Sequence, residues 1–138
     1  MMKVYLDEGA YMPERAHELD AGLDLRARED CIIKAGESAV FDTGVHVDIP
    51  PGCVGMLKSK SGLNTFHGIV SEGVIDSGYT GSIIAKLYNH SDKDFIVYKG
   101  DKITQLVILA IFRPVIWQTD KIDWNSERGS NGFGSSGR

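Results

Sequence analysis

The chain has 138 residues and a mass of 15.1 kDa, with 42% hydrophobic and 25% charged residues and a net charge of −4. These values fit one globular domain and exclude disorder and fibrous repeats. The longest apolar stretch, Leu106 to Phe112, is seven residues against the ~20 of a membrane span, so neither a membrane nor, without a leader pattern, secretion is expected. A cytoplasmic protein is the expectation.

The charge is uneven: residues 1–30 hold eight acids and four bases, whereas the remainder holds eleven of each. No basic footprint of the kind duplex-binding proteins carry is present, so nucleic acid is not an expected partner and an anionic ligand must be held by a few placed groups. Cys31 and Cys53 define no disulfide framework and are expected as buried, inert thiols in a reducing compartment. His17, His46, His67 and His90 lack metal-ligand spacing, and no paired-cysteine motif occurs, which excludes a protein-built zinc site. The nucleophile-elbow and phosphate-loop patterns are also absent.

In chain order, short β-branched runs with period-2 alternation predict strands at 4–6, 31–33, 39–41, 45–49, 53–57, 83–87, 95–98, 103–108 and 110–117. Within 45–49 the alternation places Val45, Val47 and Ile49 on one face and His46 and Asp48 on the other. Turn signals separate the runs at 34–37, 49–52, 89–92 and 99–101. Eight or more strands at this spacing argue for an all-β sandwich, jelly roll or barrel. Residues 61–67 predict one or two helical turns with Ser61 as N-cap. The last eleven residues, 128–138, include seven Gly or Ser and predict a flexible tail. Phe133 between glycines, with Arg128 five residues earlier, gives that tail two groups able to bind.

Small-residue segments beside charges carry the chemistry. DAGLDL at 20–25 sets two acids four apart. KSGL at 60–63 sets a cation, a hydroxyl and free backbone N–H groups at a helix start, an anion-binding arrangement. EGVIDSGYTG at 72–81 reads as a hairpin whose tip offers backbone, a carboxylate and a phenol. GDKITQL at 100–106 is a turn entering a strand with a lone amide, and RGSNGFGSSG closes the chain.

Together and in this order these segments resemble the five motifs of the trimeric, all-β dUTP diphosphatase (dUTPase) family, over residues 20–137. The resemblance implies a distorted jelly roll of β-clip type, one domain over 1–127 with one short helix, and a C-terminal arm over 128–138 that closes an active site. It implies a homotrimer whose subunits share their sites, and Mg²⁺ held mainly by the triphosphate and water. The implied activity is hydrolysis of dUTP to dUMP and pyrophosphate, which supplies dUMP for thymidylate synthesis and keeps uracil out of DNA.

The resemblance also implies roles by matching residue. Asp76 would activate the water that attacks the α-phosphorus. Ser71, Gly73, Val74, Ile75, Tyr79, Ile84 and Phe133 would bind base and sugar. In that set, backbone at 73–76 reads the uracil edge, a tight hairpin rejects thymine's methyl, Tyr79 excludes a 2′-hydroxyl and Phe133 stacks on uracil. Lys60, Ser61, Gly62, Gln105, Arg128, Gly134 and Ser135 would hold phosphates, and Asp24 would reach the metal through water. Two departures stand out: Lys60 replaces the family's usual Arg, turning a bidentate contact into a point charge, and the Ser71-Glu72 loop is short. The alternatives are the dCTP deaminase branch of the same fold and a nucleotide-sensing interaction module.

Overall fold

The computed structural model describes residues 1–122, 125–133 and 136–137. Ten strands and one helix follow in the order β1 (Lys3–Leu6), β2 (Gly22–Arg26), β3 (Cys31–Ile33), β4 (Ser38–Asp42), β5 (Val45–Asp48), β6 (Cys53–Lys58), α1 (Ser61–His67), β7 (Ile69–Asp76), β8 (Ile84–Asn89), β9 (Phe95–Val97) and β10 (Lys102–Ala110). A six-stranded sheet, ordered β2-β10-β6-β7-β8-β4, is joined by the two-stranded sheets β1-β5 and β3-β9. Every pairing is antiparallel. The fold is all-β and jelly-roll-like.

Alternation is obeyed where one face meets the core. Val45, Val47 and Ile49 are buried with Leu25, Leu57, Leu87 and Leu106, as the period-2 pattern requires. The large sheet bends at β7. Residues 69–71 pair with β8 on one edge, from Ile69↔Asn89 to Ser71↔Leu87. Residues 72–76 pair with β6 on the other, from Glu72↔Lys58 to Asp76↔Val54. Beyond Ser71 the strands β7 and β8 therefore splay. The expected hairpin at 72–81 is an open mouth, because β8 turns away to pair with β4. Ser71 and Glu72 are not a loop but lie inside continuous β7.

Three further expectations are corrected. The helix is capped by Lys60, in extended conformation and with no side-chain cap bond, so Ser61 is the first helical residue. The left-handed Gly68 (φ 64°) closes it, its N–H bonding back to the Asn64 carbonyl. The predicted strand at 110–117 does not form: β10 ends at Ala110, and Phe112, Val115, Ile116 and Trp117 are exposed, Trp117 by 78%. An apolar run becomes a strand only beside a partner edge, and this chain supplies none there. Cys31 and Cys53 are free but half-buried rather than buried.

Candidate active site

The outer face of the large sheet carries the predicted groups in rows. Directly opposed residues share a face, and the register Asp24↔Gln105↔Lys58↔Glu72 runs a polar row across four strands. Lys58 and Glu72 are ion-paired at 2.9 Å. The next row along is less polar, Gly22↔Val107↔Met56↔Val74, and Leu109↔Val54↔Asp76 follows it.

Asp24 anchors one end of this face. It is 3% exposed, with Lys60 Nζ 2.5 Å from Oδ1 and Lys102 Nζ 2.8 Å from Oδ2. The Lys102 contact is an ion pair without hydrogen-bond alignment, and Oδ2 accepts no other bond. Burial alone pushes the Asp24 carboxyl up. The Lys102 and Lys60 ammonium groups outweigh it and hold the carboxyl below its ordinary value, so the group is charged at neutral pH. Lys60 then leads into α1, whose first turn presents the backbone N–H groups of Ser61 and Gly62 without intrahelical acceptors. Gln105 donates from Nε2 to the Ser59 carbonyl at 3.0 Å. Gly22, diagonal to Gln105 on β2, leaves room for that amide, since a Cβ there would stand 2.2 Å from Gln105 Oε1 and the side chain would have to shift.

Sequence reasoning missed Lys102. Strict alternation puts it and Gln105 on opposite faces. A register shift between Lys102 and Thr104 adds the extra residue that brings Lys102 to the Asp24 side. The only signal was a lysine in GDKITQL and another in KSGL, either of which could meet an acid of DAGLDL, and a linear chain carries no distance between them.

At the far end, Asp76 is the last residue of β7 and is exposed. No hydrogen bond or ion pair engages its side chain among the described residues. A tight turn follows: Tyr79 N–H donates to the Asp76 carbonyl at 3.1 Å, with Gly78 at φ 93°, where a side chain would be strained. The Tyr79 hydroxyl donates to the Ser82 carbonyl at 3.0 Å, and its ring lies over Gly81, whose Cβ would meet the hydroxyl at 2.3 Å. Val74 and Ile84 are exposed on the two sides of the mouth, while Ile75 points into the core. Ser71 is 1% exposed, its N–H bound to Ser59 Oγ at 2.9 Å. Its side chain is not presented to a base in this protomer.

The structure thus gathers Asp24, Lys60, Ser61, Gly62 and Gln105 at one end, and Gly73, Val74, Asp76, Tyr79 and Ile84 at the other. Lys58 and Val54 on β6 are four residue steps apart, about 13 Å of strand, and three strand spacings separate β2 from β7, about 14 Å more. Arg128 donates from Nε to the Asn131 carbonyl at 3.1 Å, and Phe133 is fully exposed, so neither joins either end. Gly134 and Ser135 lie outside the described residues.

No group of three or more His, Cys, Asp or Glu able to hold a metal occurs among the described residues. The donor set fits a metal carried in by a ligand: the Asp24 carboxylate is ionised, and its two oxygens are held by the partly exposed lysine side chains Lys60 and Lys102. No helix among the described residues is long and apolar enough to cross a membrane.

Fold and site together define a class, the jelly-roll-like all-β nucleotidohydrolases. The family model described as dUTPase matches residues 8–137. The deoxyuridine 5′-triphosphate nucleotidohydrolase of Clostridium acetobutylicum is 42% identical over 96% of this chain and 92% of its own. The human mitochondrial deoxyuridine 5′-triphosphate nucleotidohydrolase is 41% identical over 96% of this chain and 53% of its own. Among solved structures, a Staphylococcus bacteriophage 80alpha dUTPase variant with dUpNHpp superimposes with a TM-score of 0.88 at 34% identity, covering 100% of this chain and 99% of that one. The chain belongs to the dUTPase family and is an enzyme of it, a dUTP nucleotidohydrolase.

Proposed function

We propose that the protein hydrolyses dUTP to dUMP and pyrophosphate in sites shared between the subunits of a homotrimer, with Asp76 as the base. The observation that carries this reading is the separation of the two clusters. They lie on the same sheet face but about 13 Å apart along the strands and about 14 Å across them, beyond the reach of one triphosphate's adjacent phosphates. Two chains bring the phosphate cluster of one against the Asp76 turn of the next. The exposed apolar side chains between and beside the clusters, Val74, Leu109, Phe112 and Trp117, are the surface such packing would cover.

In this reading the edge of β7 facing the splayed β8 supplies the base contacts. From Glu72 onward that edge has no ladder partner, so backbone donors and acceptors of 73–76 are free to read a uracil edge. Tyr79 lies against the deoxyribose and leaves no room for a 2′-hydroxyl. Asp76, exposed and without a partner, accepts a proton from the water that attacks the α-phosphorus, and the α–β bridging oxygen leaves with pyrophosphate. Lys60, Ser61, Gly62 and Gln105 hold phosphate oxygens, and Arg128, Phe133, Gly134 and Ser135 close the site from the arm. Asp24 would face a triphosphate-borne Mg²⁺ through water, and the ion, when bound, would draw charge off the phosphate oxygens. Lys60 has two roles in sequence: it neutralises Asp24 in the free enzyme and turns to phosphate when nucleotide arrives.

The test is pyrophosphate release across the eight common deoxy- and ribonucleoside triphosphates with Mg²⁺, beside light scattering. Selective turnover of dUTP by a species of about three times 15.1 kDa is expected. Comparable turnover of UTP removes the role given to Tyr79, and an active monomer removes the shared site.

A further inference from the structure

Segment 77–83 runs beside the edge of β5 opposite β1 and is fastened there at four places. Ser77 Oγ donates to the Ile49 carbonyl at 3.3 Å, Ser82 Oγ to Asp42 at 2.5 Å, and Ile83 N–H to the Val45 carbonyl at 2.8 Å. The fourth fastening, at Thr80, is the side chain of His46. Its Nδ1 lies 2.8 Å from the Thr80 carbonyl oxygen, and its Nε2 lies 3.2 Å from an Asp7 carboxylate oxygen.

Both ring nitrogens therefore face oxygens that carry no proton to give. A neutral imidazole has one N–H for these two neighbours; the imidazolium has two and adds a charge that pairs with the Asp7 carboxylate, which Nε2 meets at ion-pair distance rather than in hydrogen-bond alignment. The ring is mostly enclosed, with Tyr5 packed edge-on at a centroid distance of 5.4 Å. The groups around it are Asp7 after β1, Lys3 and Tyr5 on β1, Asp48 on β5, and Tyr79 in the turn. Asp42, ion-paired to Arg28, stands at the end of β4. The Thr80 carbonyl and the Asp7 carboxylate raise the ring's affinity for its second proton against the effect of burial. The cation is thus complete below the ordinary imidazole range and is lost as pH rises through the raised value.

We propose that His46, as an imidazolium, is a positioning residue that clasps Thr80 and thereby sets Tyr79 against the sugar, so that dUTP affinity and rejection of UTP weaken as the ring loses its second proton. This rests on the role given above to Tyr79. The clasp touches neither substrate nor reacting atoms; it acts on the turn from behind, beside the open groove of about 500 Å³ lined by β1, β5 and the turn.

The experiment measures KM and kcat for dUTP and UTP from about pH 6 to about pH 9, beside the NMR titration of the His46 ring. In the wild type, KM for dUTP is expected to rise severalfold with the ring's own midpoint while kcat at the plateau stays level. His46→Ala is expected to raise KM about tenfold, the scale of one lost charge-assisted bond, and to narrow the dUTP preference. His46→Gln, which offers Thr80 an N–H but has no proton to lose, should give a flat KM profile. If His46→Ala does not fold, the ring titration and the His46→Gln profile decide. A ring midpoint at or below that of free imidazole overturns the proposal. So does a His46→Ala enzyme with the wild-type KM and dUTP preference, and that result leaves Tyr79's role intact. A wild type indifferent to the 2′-hydroxyl instead removes the role of Tyr79, and this proposal with it.

Discussion

At one end of the open sheet face Asp24 is buried between two ammonium groups; at the other, Asp76 stands in solvent at the last residue of β7. The two carboxylates sit on the same sheet face with one row of residues between theirs, yet their surroundings differ in kind. Asp24 is held by charge in the middle of edge strand β2, between its ladder with β10 and a single bridge to Glu14. Asp76 is held only by the strand it ends and by the turn after it, and nothing competes for its oxygens. The charge of Asp24 is already engaged in the free chain, whereas the Asp76 carboxylate, among the described residues, is open to accept a bond from a ligand or water.

The largest effect that breaks this contrast is expected at Asp76. Asp76→Asn should slow dUTP hydrolysis by about 10²–10⁴-fold, the size of a general-base contribution. Nucleotide affinity and Tm should stay near the wild type, because the side chain contacts nothing. Steady-state kinetics and calorimetry on one preparation read both. Near-normal turnover would show that the water is activated elsewhere.

Deleting residues 128–138 should come next, with a loss in kcat of about 10²-fold and an unchanged Tm. In the free chain the described residues of this segment make local bonds, such as Arg128 to Asn131. A base stack and a phosphate contact, about 1–3 kcal/mol each, become available only with nucleotide. Protease resistance of the arm should therefore rise on adding a non-hydrolysable dUTP analogue. Phe133→Ala alone should reproduce part of the kinetic loss.

Asp24→Asn should invert the pattern seen at Asp76, costing stability as well as affinity. Two ammonium groups would face a neutral amide, a loss of about 3 kcal/mol by denaturant unfolding. The sign with pH follows from the carboxyl's lowered value. Wild-type stability from this pair is present above the ordinary carboxylate range and is lost as pH falls through the lowered value. The variant should be flatter than the wild type below about pH 4. The smallest effect is expected for Lys60→Arg, where a planar fork replaces a point charge; KM for dUTP should fall about threefold, the scale of a fraction of one charge-assisted bond.

The sequence made β5 legible because Val45, Val47 and Ile49 obey a strict alternation with a wet opposite face. It made the phosphate cluster legible in part, since Asp24, Lys60 and Gln105 lie in segments whose order is informative. Lys102 stayed hidden because a bulge reverses its face, and no residue marks the bulge. The strand at 110–117 was misread because its apolar pattern is genuine while no described strand pairs with it beyond Ala110. β7 was missed because glycine interrupts it, and the hairpin reading joined its end to a segment with which it does not pair. His46 was assigned to the polar face of β5, which is correct, but its two acceptors come from residues 39 before it and 34 after it in the chain.

The exposed run from Ile111 to Trp117 bears on dilution. Burying such side chains against another copy is worth roughly 1.5–3 kcal/mol each, a sizeable share of a domain's 5–15 kcal/mol. In the proposed trimer stability would be set by mass action as well as by contacts within one chain, and the melting midpoint should climb with protein concentration. At nanomolar concentrations the enzyme should lose activity with a high-order dependence on dilution, long before any chain is chemically damaged, and should regain it on reconcentration.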